Sequence, residues 1–267
     1  MKATYYRRLF AAMCLGLAFA SPATADQVPI GGDDYDYKIP FGVEMRAGNR
    51  VWELPVEELE GTDRRSFEWT YEDDADGNGF RAVISGVLDP DPSISWAIAV
   101  TDFGTPTTFS FVFTTPIVPT GNPSTVTGSV SGGLTDATGN GITITPAAVL
   151  GDPDGDTIAE LQVNEVGVGG PPVFTNMGVD VGGAVSFGPG APGANYTYGP
   201  FSTGPFAGPP GVWTSLQSRV SFTLSGGGDI AALTGYASIV PEPSAIALVA
   251  IGAMSVLGRI ALRRRKA

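Results

Sequence analysis

Between residues 94 and 114 the chain alternates large apolar side chains with small ones at a period of two. Ile94, Trp96, Ile98 and Val100 alternate with Ser95, Ala97, Ala99 and Thr101. Beyond the turn residues 102–106, Phe109, Phe111 and Phe113 alternate with Ser110, Val112 and Thr114. A strand with this pattern buries one face, whereas a helix at 3.6 residues per turn would scatter the same side chains around its axis. The spacing predicts an antiparallel hairpin whose aromatic face forms the heart of a core. Phe67, Trp69 and Tyr71 repeat the pattern. Further strands are predicted over 80–88, 124–130, 141–145, 157–163, 179–187 and 219–224. Turn signals such as Asp89-Pro90-Asp91-Pro92 recur about every ten residues, and long helix-forming runs are missing. The fold class expected is all-β, an antiparallel, jelly-roll-like β-sandwich with long Gly/Pro-rich loops. Residues 56–60 are expected to form a short helix. Residues 189–211, dense in Gly and Pro, are expected to be a loop that Tyr196, Tyr198, Phe201 and Phe206 pin onto the sandwich, in preference to forming a ligand-binding platform.

Both ends read differently from this middle. Lys2, Arg7 and Arg8 precede an apolar run and then Ala23-Thr24-Ala25. Small residues at Ala23 and Ala25 are what a signal peptidase reads, so residues 1–25 are expected to be a secretory signal. At the other end, Val240-Pro241-Glu242-Pro243 leads into an apolar segment over 244–258 and then Arg259, Arg263, Arg264, Arg265 and Lys266. The apolar segment makes about 22 Å of helix, short of a hydrocarbon core of about 30 Å. Extending it to residue 262 reaches the thickness but includes Arg259, which must snorkel to the cytoplasmic headgroups with the basic cluster. The expected organisation is a signal at 1–25, an extracellular domain at 26–239, and a membrane-engaging tail at 240–267. A change of composition near residue 120 leaves open one domain or two subdomains.

The residues present exclude several chemistries. The single cysteine, Cys14, lies in the N-terminal signal and the chain has no histidine. Disulfides, the Ser/His/Asp triad, Cys/His pairs and the usual zinc or haem ligands are therefore out of reach of the mature domain. No nucleophile turn, phosphate loop or singled-out carboxylate pair appears, so no catalytic residue is assigned and an enzyme is not expected. With 26 acids against 7 basic residues, the region 26–240 is about 19 units negative, which argues against nucleic acid as a partner. Oxygen-ligand ions are the metals left. Asp74, Asp76 and Asn78, followed by Gly79, match the opening of a calcium loop, although Ser85 stands where an EF-hand has Glu. Asp152, Asp154 and Asp156 repeat the alternate spacing, with Glu160 four residues on. Solvated turns between strands account for both clusters more simply than calcium does. No other cofactor is expected.

The order of a Pro-Glu-Pro motif, an apolar helix and an Arg-rich end resembles the PEP-CTERM sorting signal of Gram-negative bacteria. That resemblance rests on about a tenth of the chain and implies export, transient anchoring through residues 244–262, and processing by an exosortase that recognises Pro241, Glu242 and Pro243. It implies signal peptidase and exosortase as partners during export, a final location at the cell surface or outside the cell, and an association with exopolysaccharide and biofilm. Residues 89–117 are also similar to a stretch in a subset of such proteins. The function expected is that of a non-enzymatic surface or matrix protein. The alternative is a carbohydrate-binding module, or a polysaccharide-acting enzyme, in which Tyr196, Tyr198 and Trp213 of the 189–213 segment stack on sugar.

Overall fold

The computed structural model describes residues 41–73, 79–120, 124–148, 155–165, 173–207 and 213–241. Fifteen strands follow in chain order: β1 Gly42–Ala47, β2 Arg50–Leu54, β3 Glu57–Glu58, β4 Arg65–Asp73, β5 Phe80–Asp89, β6 Ser93–Asp102, β7 Thr107–Thr120, β8 Ser124–Asp136, β9 Ile142–Pro146, β10 Ala159–Glu165, β11 Val173–Val181, β12 Val185–Phe187, β13 Ala194–Ala207, β14 Trp213–Leu224 and β15 Asp229–Pro241. They form two antiparallel sheets. One has the order β11-β10-β14-β7-β1-β2, with β9 bridging β12 and β14; the other has the order β13-β8-β15-β6-β5-β4-β3. Both sheets draw strands from either side of residue 120, so the change of composition there does not separate them. The all-β expectation holds, and among the described residues there is no helix.

The sheets meet over a single apolar core, and its densest part is built on alternation of large with small residues. Across the inner face of the seven-stranded sheet one row reads Val130, Gly235, Trp96, Gly86, Phe67. The two glycines leave room for the indole and for Phe67. A Cβ on Gly235 would fall within the Trp96 ring, and one on Gly86 would meet Phe67. From the facing sheet Phe113 enters between these rings, 5.8 Å from Trp96 with an interplanar angle of 6° and 5.4 Å from Phe67 at 25°. The Trp96 Nε1–H donates across the sandwich to Ser218 Oγ at 3.2 Å, satisfying the one polar atom of the buried indole. A second aromatic group closes the β2–β4–β5 side: Trp52 lies 4.9 Å from Tyr71 and 5.7 Å from Phe80, and Phe80 reaches Phe109 at 5.4 Å.

Four expectations need correction. The hairpin expected from residues 94–114 is an arch. β6 pairs with β5 and β15, while β7 pairs with β1 and β14 in the other sheet. The aromatic faces do form the core, but they face one another across it. The connection is held by Asp102, whose carboxylate accepts from Thr107 N at 2.8 Å and Thr107 Oγ1 at 3.2 Å, turning the chain over the edge of one sheet into the next. Residues 57–58 form strand β3 against β4 and not a helix turn. The stretch 179–187 is two strands, β11 and β12, separated at residues 182–184.

The fourth correction is the largest. Most of the expected 189–211 loop is β13, a strand at the edge of its sheet paired along β8. Its ladder shifts register between Tyr198 and Phe201 and again between Thr203 and Phe206. Each shift falls on a Gly-Pro pair with a cis bond, and Gly199 and Gly204 take φ of 79° and 89°. Proline lacks a ladder donor, and an edge strand tolerates that loss where a central strand would not. Glycine takes the left-handed conformation at each bulge.

One end of the seven-stranded sheet carries a feature with no counterpart among the sequence expectations. The last inward position on β6, β8 and β15 is an aspartate, Asp102, Asp136 and Asp229, and all three are fully buried. Each side chain accepts hydrogen bonds from a turn. Asp136 takes Gly139 N at 2.6 Å and Gly141 N at 2.8 Å, and Asp229 takes Ser225 Oγ at 2.5 Å and Ala137 N at 3.3 Å. Burial pushes the Asp102 and Asp229 carboxyls up from the ordinary value, and the neighbouring charges of Asp229 and Asp136 respectively add to it. A raised carboxyl pKa means that the folded chain holds its proton more tightly than the unfolded one. That contribution is present below the unfolded value and is lost as pH rises through the folded value. The melting temperature is therefore expected to fall as pH is raised from about 4 to about 7. General repulsion in an acidic chain gives the same trend, so the check is Asp229→Asn, which should flatten the slope. An unchanged slope would rule out Asp229 as a contributor to the trend.

Candidate functional site

The acidic cluster expected around residues 152–156 is extended by the pairing of two strands, which the sequence does not state. Glu160 on β10 stands across from Asp180 on β11 and, on its other side, from Arg219 on β14. Asp156 approaches from the segment just before β10. One carboxylate oxygen from each of Asp156, Glu160 and Asp180 lies within 4.8 Å of the others. Asp156 and Asp180 are exposed, whereas Glu160 is only 2% exposed. Next to this row runs a second one, Asn176, Gln162, Gln217 and Thr114. Arg219 Nε donates to Gln217 Oε1 at 2.7 Å, and Gln217 Nε2 donates to Thr114 Oγ1 at 3.1 Å. The outer face of the eight-stranded sheet therefore carries an ordered polar patch.

Chemically, three carboxylates at this separation offer hard oxygen ligands of the kind that suit calcium. Arg219 provides a second means of offsetting their charge, because cross-strand neighbours of opposite sign attract. Of the expected calcium residues, only Asp156 falls among the described residues and joins this group. Asp152 and Asp154, and the whole Asp74, Asp76, Asn78 cluster, lie outside them. The missing partner was Asp180, which sits in an otherwise unremarkable strand. Only the β10–β11 register brings it to Glu160.

Of the expected sugar-stacking residues, Tyr198 and Trp213 are enclosed in the core, and Tyr196 alone keeps an exposed part. Tyr198 is fully buried and Trp213 is 3% exposed. The Tyr198 hydroxyl donates to Gly183 O at 2.9 Å, and burial pushes its pKa up. Tyr196 is half-buried, its ring stacked on Phe187 at 4.2 Å and 11°. The physical reason is that β13 is a strand. Alternate side chains on a strand turn to the core, and those at 196 and 198 serve as packing residues.

No protein-family model matches this chain, and no curated protein matches it either. Assignment of a role therefore rests on the residues themselves.

The sorting motif is the remaining expected site. Val240 and Pro241 are the last two residues of β15, paired with Thr125 and Ser124 of β8. Val240 is 55% exposed, and Thr125 Oγ1 donates to its carbonyl at 3.3 Å. β15 thus runs two residues past the expected boundary at 239, to the first proline of the motif. Glu242, Pro243, the basic residues Arg259, Arg263, Arg264, Arg265 and Lys266, and the signal residues Ala23 and Ala25 lie outside the described residues.

Proposed function

We propose that this protein is an exported, non-enzymatic surface or matrix protein whose tail is removed by an exosortase. The reading rests on a single juxtaposition: β15 ends on Pro241, the first proline of Val240-Pro241-Glu242-Pro243. β15 lies between β6 and β8 in the interior of its sheet, so the motif is joined to the domain without a linker. A rigid domain carried directly on a Pro-Glu-Pro segment suits display at a membrane surface, because the two prolines keep the chain extended as it leaves the strand. Cleavage there releases the domain whole. The signal at 1–25, transient engagement of a membrane through 244–262, and association with exopolysaccharide belong to the same proposal.

The test is export with and without the motif. Cells producing the full chain should carry the domain on the surface or shed it. Replacing Pro241, Glu242 and Pro243 together with Ala should leave it in the membrane fraction, uncut. Equal release from both chains would overturn the reading.

A further inference from the structure

The four neighbouring strands β13, β8, β15 and β6 contain no Lys, Arg or Glu. Their only acids are the three aspartates Asp102, Asp136 and Asp229, all fully buried. In a chain with 27 acidic and 15 basic residues and a net charge of −12, the outward face of these strands is therefore uncharged. The opposite face of the molecule differs, carrying Glu44 and Arg46 paired at 2.5 Å as well as Arg219 and Asp180.

Small side chains make up this neutral face. Ser95, Ala97 and Ala99 point outward from β6, Thr127, Ser129 and Ser131 from β8, and Ala232 and Thr234 from β15. Four of its hydroxyls pair across the strands, Thr127 with Ser238 at 2.8 Å and Ser131 with Thr234 at 3.3 Å. β6, β15 and β8 run in unbroken register. Near the middle of β15 stands Tyr236, flanked by Ser95 and Ser129 and 44% exposed.

We infer that this face is where two copies of the chain meet, sheet against sheet, with Tyr236 near the two-fold axis. Two molecules of the same strong negative charge repel at long range wherever their charged surfaces approach. An uncharged face lets them make contact without burying a like-charged pair. Small side chains allow two twisted sheets to pack closely, aligned within about 30°. Tyrosine supplies a large apolar surface at low entropic cost and recurs where interface energy concentrates. Four strands at about 4.8 Å spacing and ten residues at about 3.3 Å give roughly 600 Å² per copy. The total of roughly 1,200 Å² sits at the low end of specific interfaces, which fits a reversible dimer. A neutral polysaccharide is the less favoured occupant. Four of the hydroxyls are engaged with one another, and one aromatic ring offers a single stacking platform.

Sedimentation equilibrium of the full chain in a density-matched polyoxyethylene detergent tests this. The wild type should associate to a dimer in the micromolar range, and raising salt from about 20 mM to about 200 mM should tighten it, since screening weakens the general repulsion. Thr234→Glu places a charge at the centre of the face and should weaken association at least about tenfold. Tyr236→Ser should act in the same direction without adding charge, so the result does not hang on one variant's folding. A monomer at all concentrations would overturn the inference, as would a dimer unaffected by both substitutions. A monomer retarded by neutral dextran in a gel, through Tyr236, would overturn it too and assign the face to glycan.

Discussion

Phe113→Ala is expected to lower stability by about 3–5 kcal/mol and the melting temperature by on the order of 10 °C. Phe113 is fully buried and fills the gap between Trp96 and Phe67, so its removal leaves a cavity bounded by two rings held in place from behind. Trp96 is fixed by its bond to Ser218 and by the strand at Gly235, and Phe67 lies over Gly86. Neither can swing in to fill the space without giving up its own packing, which places the cost toward the upper part of the range for Phe→Ala. Phe113→Leu keeps most of the volume and should cost markedly less. Thermal melts of the three proteins check this. Equal melting temperatures would mean that the two sheets do not meet at Phe113.

Gly235→Val should be the most damaging single addition. A Cβ at 235 would occupy the space of the Trp96 ring, and because that ring is wedged between two strands and stacked on Phe113, it must leave its site. Overpacking of this kind costs about 1–3 kcal/mol and sometimes more. Here it also breaks the Trp96–Ser218 hydrogen bond, leaving a buried hydroxyl without its donor, so the upper end is expected. Trp96 fluorescence should shift to the red as the indole meets water. Adding Trp96→Leu to Gly235→Val should restore part of the loss, since the two residues share one space and their effects should not add. Strict additivity of the two substitutions would contradict the packing described.

These two positions also show what the sequence could and could not disclose. The alternation at 94–100 and 109–113 identified the core residues correctly, because a period of two states which side chains share a face. It does not state which strand lies alongside, and the arch between β6 and β7 has the same alternation as a hairpin. Gly235 and Gly86 read as ordinary glycines until the register sets them beside Trp96. Residues 194–207 were misjudged for a different reason: density of Gly and Pro signals a turn in most contexts, but an edge strand absorbs both at bulges. The buried aspartates did leave a trace. Val100 to Asp102, Leu134 to Asp136 and Asp229 to Ala231 each carry the inward alternation directly into an acid. Asp180 and the neutral face left none, since both arise from strands brought together by topology.

The juncture between the last strand and the motif decides the role proposed for the chain. Peptide mass spectrometry of the protein recovered from the cell surface and the culture medium reads it directly. A mature C-terminus within Pro241, Glu242 and Pro243, with β15 intact, is the result expected of an exported and processed domain. Recovery of the chain with Arg263, Arg264 and Arg265 still attached would contradict it.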